Sequence, residues 1–206
     1  MAISLVAVGA KITAAITNAI IGAVNAQGLT SVIPTSVAGT GVSVGAAGKV
    51  TLTAATSASV NGCFTSTYDQ YLIAFDIPTI ATAANLQLRL RAAGTDLSTA
   101  TYVYGGTTNN TTATGVGSNG TTTAFYLTRD PVGSASASGE VLLFSPQLTV
   151  AKRLLSKFAT ANATYVTGDT VGGYQGSTAS HDGFTLMNDG GVAMTGTIRI
   201  YGRNNN

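Results

Sequence analysis

Residues 85–92 read NLQLRLRA. In an extended chain Leu86, Leu88 and Leu90 fall on one side, and Gln87, Arg89 and Arg91 on the other. That period of two suits a strand and not a helix. The stretch therefore predicts a strand with one face in a core and one toward water. Its neighbours extend the pattern. Residues 70–77 (QYLIAFDI) are the most apolar run, predicting a strand covered on both faces and stopped by Pro78. Residues 49–54 (KVTLTA) alternate Val50 and Leu52 with threonine, and residues 58–65 hold Val60, Cys63 and Phe64 around an Asn61-Gly62 turn or bulge. Residues 123–129, 140–145, 153–159, 163–167, 184–187 and 195–201 (TGTIRIY) continue the series, although 152–158 also fits a helical turn. About ten short strands with turns between them, and no helical rhythm among them, predict a mainly β fold: an antiparallel β-sandwich, jelly-roll-like.

One segment has a different rhythm. In residues 11–27 (KITAAITNAIIGAVNAQ), Ile12, Ile16, Ile20 and Val24 recur every fourth position beside a set of alanines, and Gly28 follows where a helix C-cap glycine sits. This predicts an α-helix about 25 Å long that precedes the sandwich. Its apolar surface is wider than one stripe, so it needs partners on more than one side. We expect it to dock and oligomerise the chain through Ile12, Ile16, Ile20 and Val24. The apolar run after Lys11 is shorter than the roughly 20 residues of a membrane span, and no positive charge precedes it as in a secretory leader, so neither is expected. The expected layout is an N-terminal docking segment at 1–28, a linker at 29–48 punctuated by Pro34 and glycines, and a β domain at 49–206.

Charged residues are only 9% of the chain, against about 25% in ordinary soluble domains. The polar surface must then be built from Thr, Ser, Asn and Gly. The net charge of +2 comes without a basic cluster, which argues against nucleic acid as a partner. Weak repulsion between copies suits a protein that lives in an assembly.

Chemistry-bearing residues are few. His181 is the single histidine and Cys63 the single cysteine, so a zinc site and an intrachain disulfide are excluded within one chain. No G-x-S-x-G elbow is present, and Asp182 is poorly placed to orient the ring of the adjacent His181. Residues 45–49 (GAAGK) fail the phosphate-loop spacing, with Ser43 and Val50 where Gly and Ser or Thr belong. We expect no enzyme, no metal and no cofactor. Residues 105–122, rich in Gly, Thr and Asn, read as a surface loop or irregular hairpin at the end of the body away from the helix, one that the core does not need. Tyr102, Tyr104 and Tyr126 lie beside it and are candidates for an exposed, sugar-binding recognition surface.

Three stretches together resemble structural proteins of tailed bacteriophages, in particular minor tail or fibre-type proteins of phages that infect actinobacteria. They are GLTSVIPTSVAGTGVSV (28–44), SVNGCFTSTYDQYLIAFDI (59–77) running into LQLRLRAAGTD (86–96), and HDGFTLMNDGGVAMTGTIRIYGR (181–203). The resemblance implies a virion protein, commonly trimeric, with an N-terminal piece that docks to other virion proteins and a β-rich body facing outward. A capsid decoration protein and a host-glycan-binding module are the alternatives.

Overall fold

The computed structural model describes residues 28–110, 114–128, 135–163 and 166–203. The expected helix at 11–27, with Ile12, Ile16, Ile20 and Val24, lies outside the described residues. In chain order the strands are β1 (Leu29–Val32), β2 (Ser36–Ala38), β3 (Val42–Val44), β4 (Val50–Ala55), β5 (Ser57–Asn61) and β6 (Gln70–Ile80). Then come β7 (Leu86–Ala92), β8 (Thr95–Asp96), β9 (Tyr102–Asn110), β10 (Thr114–Thr122) and β11 (Phe125–Tyr126). The last are β12 (Ser136–Phe144), β13 (Lys152–Ala161), β14 (Val166–Gln175), β15 (Gly183–Asn188) and β16 (Met194–Arg203).

They form two sheets in which every pairing is antiparallel. The larger, ten-stranded sheet runs β10-β9-β14-β13-β12-β6-β16-β4-β3. Its tenth strand, β1, pairs with residues 200–203 of β16, end to end with β4, which pairs with residues 194–198 on the same edge. The smaller sheet runs β11-β7-β15-β5-β2, with β8 on the free end of β7.

The alternation in the sequence decides which sides meet. Leu86, Leu88 and Leu90 of β7 are fully buried, as the period of two predicts. They share one core with Phe184 and Leu186 of β15, and across the sandwich with Tyr71, Ile73, Phe75 and Ile77 of β6, Val141 and Leu143 of β12, and Ile198 and Ile200 of β16. Phe184 stands between the sheets, 5.9 Å from the Phe64 ring and 6.4 Å from that of Phe75, which in turn lies 5.8 Å from Phe158. Burying each such side chain stabilises the fold by about 1.5–3 kcal/mol.

Two expectations need correction, and two alternatives are decided. Residues 29–48 are not a linker: they supply β1 and β3 to the larger sheet and β2 to the smaller. Alternation registers only at Val42 and Val44 of β3; β1 and β2, among Gly and Pro, carry too few large side chains for it to show. Pro78 does not end β6. It sits where the pairing with β16 slips by one residue at Gly196, and neither β16 nor β12 has a rung there, so its missing N–H goes unused. Of the two readings of residues 105–122, the irregular hairpin is the one formed: β9–β10, with β9 hydrogen-bonded to β14 along its length. Residues 152–158 are strand, as the series predicts, and not the alternative helical turn, with Lys152, Leu154, Ser156 and Phe158 buried in strict alternation. The Asn61-Gly62 turn is present. Gly62 has φ +61°, and a Cβ there would lie 2.2 Å from Thr35 Oγ1, so both the turn and the approach of Thr35 require glycine.

Candidate functional site

The outer face of the larger sheet is the surface that stands out. The pairing registers align side chains across it in rows. One row passes from Tyr201 (β16) to Leu72 (β6), Leu142 (β12), Leu155 (β13), Gly172 (β14) and Gly105 (β9). A second passes through Phe144, Arg153, Tyr174 and Val103. Large apolar side chains in adjacent rows make a continuous patch, which a sheet face exposed only to water would not carry. Five of the eight exposed large hydrophobic side chains among the described residues lie on this face: Leu29, Val103, Leu155, Val166 and Tyr174.

The centre of this face is a depression of about 340 Å³, lined by Leu29, Leu72, Leu142 and Leu155, with Glu140, Lys157 and Arg203 at its rim. Beside it the surface turns polar, with Ser138, Glu140, Lys157 and Asn109 around a second, shallower hollow. Sequence reasoning missed the apolar row, yet a signal for it exists. Leu72-Ile73, Leu142-Leu143 and Leu154-Leu155 are apolar doublets inside strands. Alternation sends one member of each doublet inward and the other out.

The tyrosines proposed for recognition are placed otherwise. Tyr102 is 0% exposed and Tyr104 3%, while Tyr126 is half-buried and stacks on Tyr104 at 4.9 Å between ring centroids. The Tyr102 hydroxyl accepts the Leu90 amide at 3.0 Å and donates to the Leu97 carbonyl at 2.9 Å. Burial pushes its pKa up. Tyr102 is a peg between the sheets, and the exposed tyrosine surface expected at 102–126 is not formed. The misreading came from treating their neighbourhood as a loop. In β9 the even-numbered positions face the core.

The single histidine and cysteine are both enclosed. Cys63 is fully buried, and desolvation pushes its thiol pKa well up, opposite to what a nucleophile needs. His181 is 1% exposed. Its backbone N–H donates to Pro146 O at 2.9 Å, and its carbonyl accepts from Gln147 Nε2 at 2.7 Å. Burial first, and the positive charge of Lys152 second, lower its pKa to about 4, so the ring is neutral. Lys152 is itself fully buried, and its ammonium donates to the carbonyls of Leu148, Val150 and Ala179. This knot joins the loops at one end of the sandwich. Backbone carbonyls take all three protons of the ammonium, while His181 Nδ1 is buried without a hydrogen-bond partner.

On the outer face of the smaller sheet, Arg91 donates to Asn61 Oδ1, Ser59 Oγ and Thr185 Oγ1 at 2.8–3.0 Å and pairs with Asp96, which pins β8 onto β7. Arg89 reaches Thr123 instead. These arginines face away from Leu86, Leu88 and Leu90 as predicted, but Arg91 is covered by its partners. Among the described residues, no group of three or more His, Cys, Asp or Glu side chains is placed to hold a metal ion. Comparison of the chain with family models, with curated proteins and with solved structures found no match.

Proposed function

We propose that the chain is a non-enzymatic structural subunit of a tailed-phage virion, a minor tail or fibre-type protein that acts as a homo-oligomer of three copies. Its N-terminal segment docks it to other virion proteins, and its sandwich is the outward body. The observation that carries this reading is the apolar row Tyr201–Leu72–Leu142–Leu155 on the outer face of the larger sheet. A sandwich that is apolar on an outer face as well as within, on a chain with only 9% charged residues, is built to be covered by protein. The resemblance to phage tail proteins in 28–44, 59–77 with 86–96, and 181–203 supplies the kind of assembly. The single histidine, His181, and the single cysteine, Cys63, are both buried.

The test is location. Antibodies raised against the purified chain should decorate intact phage particles in electron micrographs, and their position separates tail from head. Particles left bare while the chain is found free in the lysate would overturn the reading.

A further inference from the structure

The apolar outer face of the larger sheet needs a cover, and the described strands do not provide one: each belongs to one of the two sheets, and the smaller sheet lies on the inner face. Leu29 shows where a cover would come from. It is the first residue of β1, pairs with Arg203, is 51% exposed, and lines the central depression together with Leu72, Leu142 and Leu155. The chain that precedes it therefore meets the sandwich at the edge of the apolar row. Among the described residues, nothing lies within 4 Å of where a Cβ on Gly28 would be, so the sandwich leaves the chain room to turn at the junction.

Dimensions agree. From Tyr201 to Gly105 the row crosses six strands, or five spacings of about 4.8 Å, about 24 Å in all. A helix over residues 11–27 is about 25 Å long. The pitch agrees as well. Val24, Ile20 and Ile16 are each separated by four residues, a rise of about 6 Å, close to one strand spacing. Gly172 and Gly105 leave the far end of the row flat, so a helix can lie close there.

We propose that residues 11–27 of the same chain lie as a helix across the outer face of the ten-stranded sheet, with Val24, Ile20 and Ile16 over Leu72, Leu142 and Leu155. The helix is apolar on more than one side. Seating the isoleucine stripe leaves Ala15, Ala19, Ala23 and Ala26 for a neighbouring copy. The sandwich thereby becomes three layers, and the docking helix is held at a fixed angle to the body.

Disulfide trapping in the full-length chain tests this. Cys63 is fully buried, so an introduced pair reports cleanly. Ile20→Cys with Leu142→Cys, oxidised at high dilution, is expected to close within one chain. The yield should be at least about tenfold above Ile20→Cys with Gln87→Cys, whose second position is on the opposite sheet. Leu142→Asp, at a half-buried outer position that the core does not use, should speed tryptic cleavage after Lys11 by about tenfold. No internal disulfide for the Leu142 pair overturns the proposal. So does a disulfide formed only between chains, which would assign the face to a second copy. Unchanged cleavage in Leu142→Asp also counts against it.

Discussion

The ammonium of Lys152 lies 2.7 Å from the carbonyl oxygen of Ala179, tying the first residue of β13 to the loop that leads into β15. Two more carbonyls, of Leu148 and Val150, take its other protons. Lys152→Met would leave three inward carbonyls without that donor. It should cost about 3–5 kcal/mol in urea unfolding. Lys157→Met, on the exposed face of the same strand, should stay within about 0.5 kcal/mol.

His181 makes stability sensitive to acid. Its pKa is about 4 in the folded protein, against the ordinary 6.5 of an unfolded chain. Between those values the unfolded state binds the extra proton, so stability rises with pH through the window and is lost as pH falls from about 6.5 toward 4. His181→Gln should flatten that part of the profile. Urea midpoints measured across the range will show it, and an unchanged slope would mean that another group sets it.

The turn joining β7 to β8 consists of Ala93 and Gly94, with φ of 49° and 78°. Two consecutive positive values mark a type I′ hairpin, in which the first position favours asparagine. Ala93 is exposed, and its side chain contributes only strain there. Ala93→Asn should stabilise the protein by about 0.5–1 kcal/mol, read as a rise in Tm. A fall in Tm would mean that the turn is held by something other than its own backbone preference.

Gly106 of β9 faces β14 so closely that a Cβ would lie 2.3 Å from the Thr170 carbonyl oxygen and 2.8 Å from Val171 Cα. Gly106→Val should therefore destabilise by more than about 2 kcal/mol. Replacing 107–120 with a short Gly-Ser turn should also lower Tm, because Thr108 is buried and donates to Asp169 Oδ1 at 2.7 Å. Differential scanning calorimetry checks both.

Ala19→Asp with Ala23→Asp would place two charges in the apolar contact left for a neighbouring copy, at several kcal/mol per copy. Light scattering should show the oligomer dissociated. A variant that assembles like the parent removes this segment from the subunit contact.

What the sequence made legible follows from side-chain size. NLQLRLRA and TGTIRIY carry large apolar residues at alternate positions, and both are strands with the predicted faces inward. The antiparallel sandwich followed from them. β9 and β10 were legible only as a loop or irregular hairpin because Gly105, Gly106, Thr107, Thr108 and Gly115 carry almost no hydrophobic contrast; main-chain pairing, of β10 with β9 and of β9 with β14, holds them. The outer apolar row was hidden for another reason. It is assembled from single residues of four strands, and only the register between strands lines them up.

The pairing of Leu29 with Arg203 has a mechanical consequence. The residues that open and close the described body sit on the same rung, in antiparallel strands. A pull between the segment before Leu29 and the tail after Arg203 would load that rung first, then Thr30–Gly202, then Ser31–Tyr201, opening the ladder like a zip and not shearing it as a block. A subunit tethered by both ends would peel at low force. Tethered through its N-terminal segment alone, it would leave this corner slack and pass tension into the breadth of the sheet.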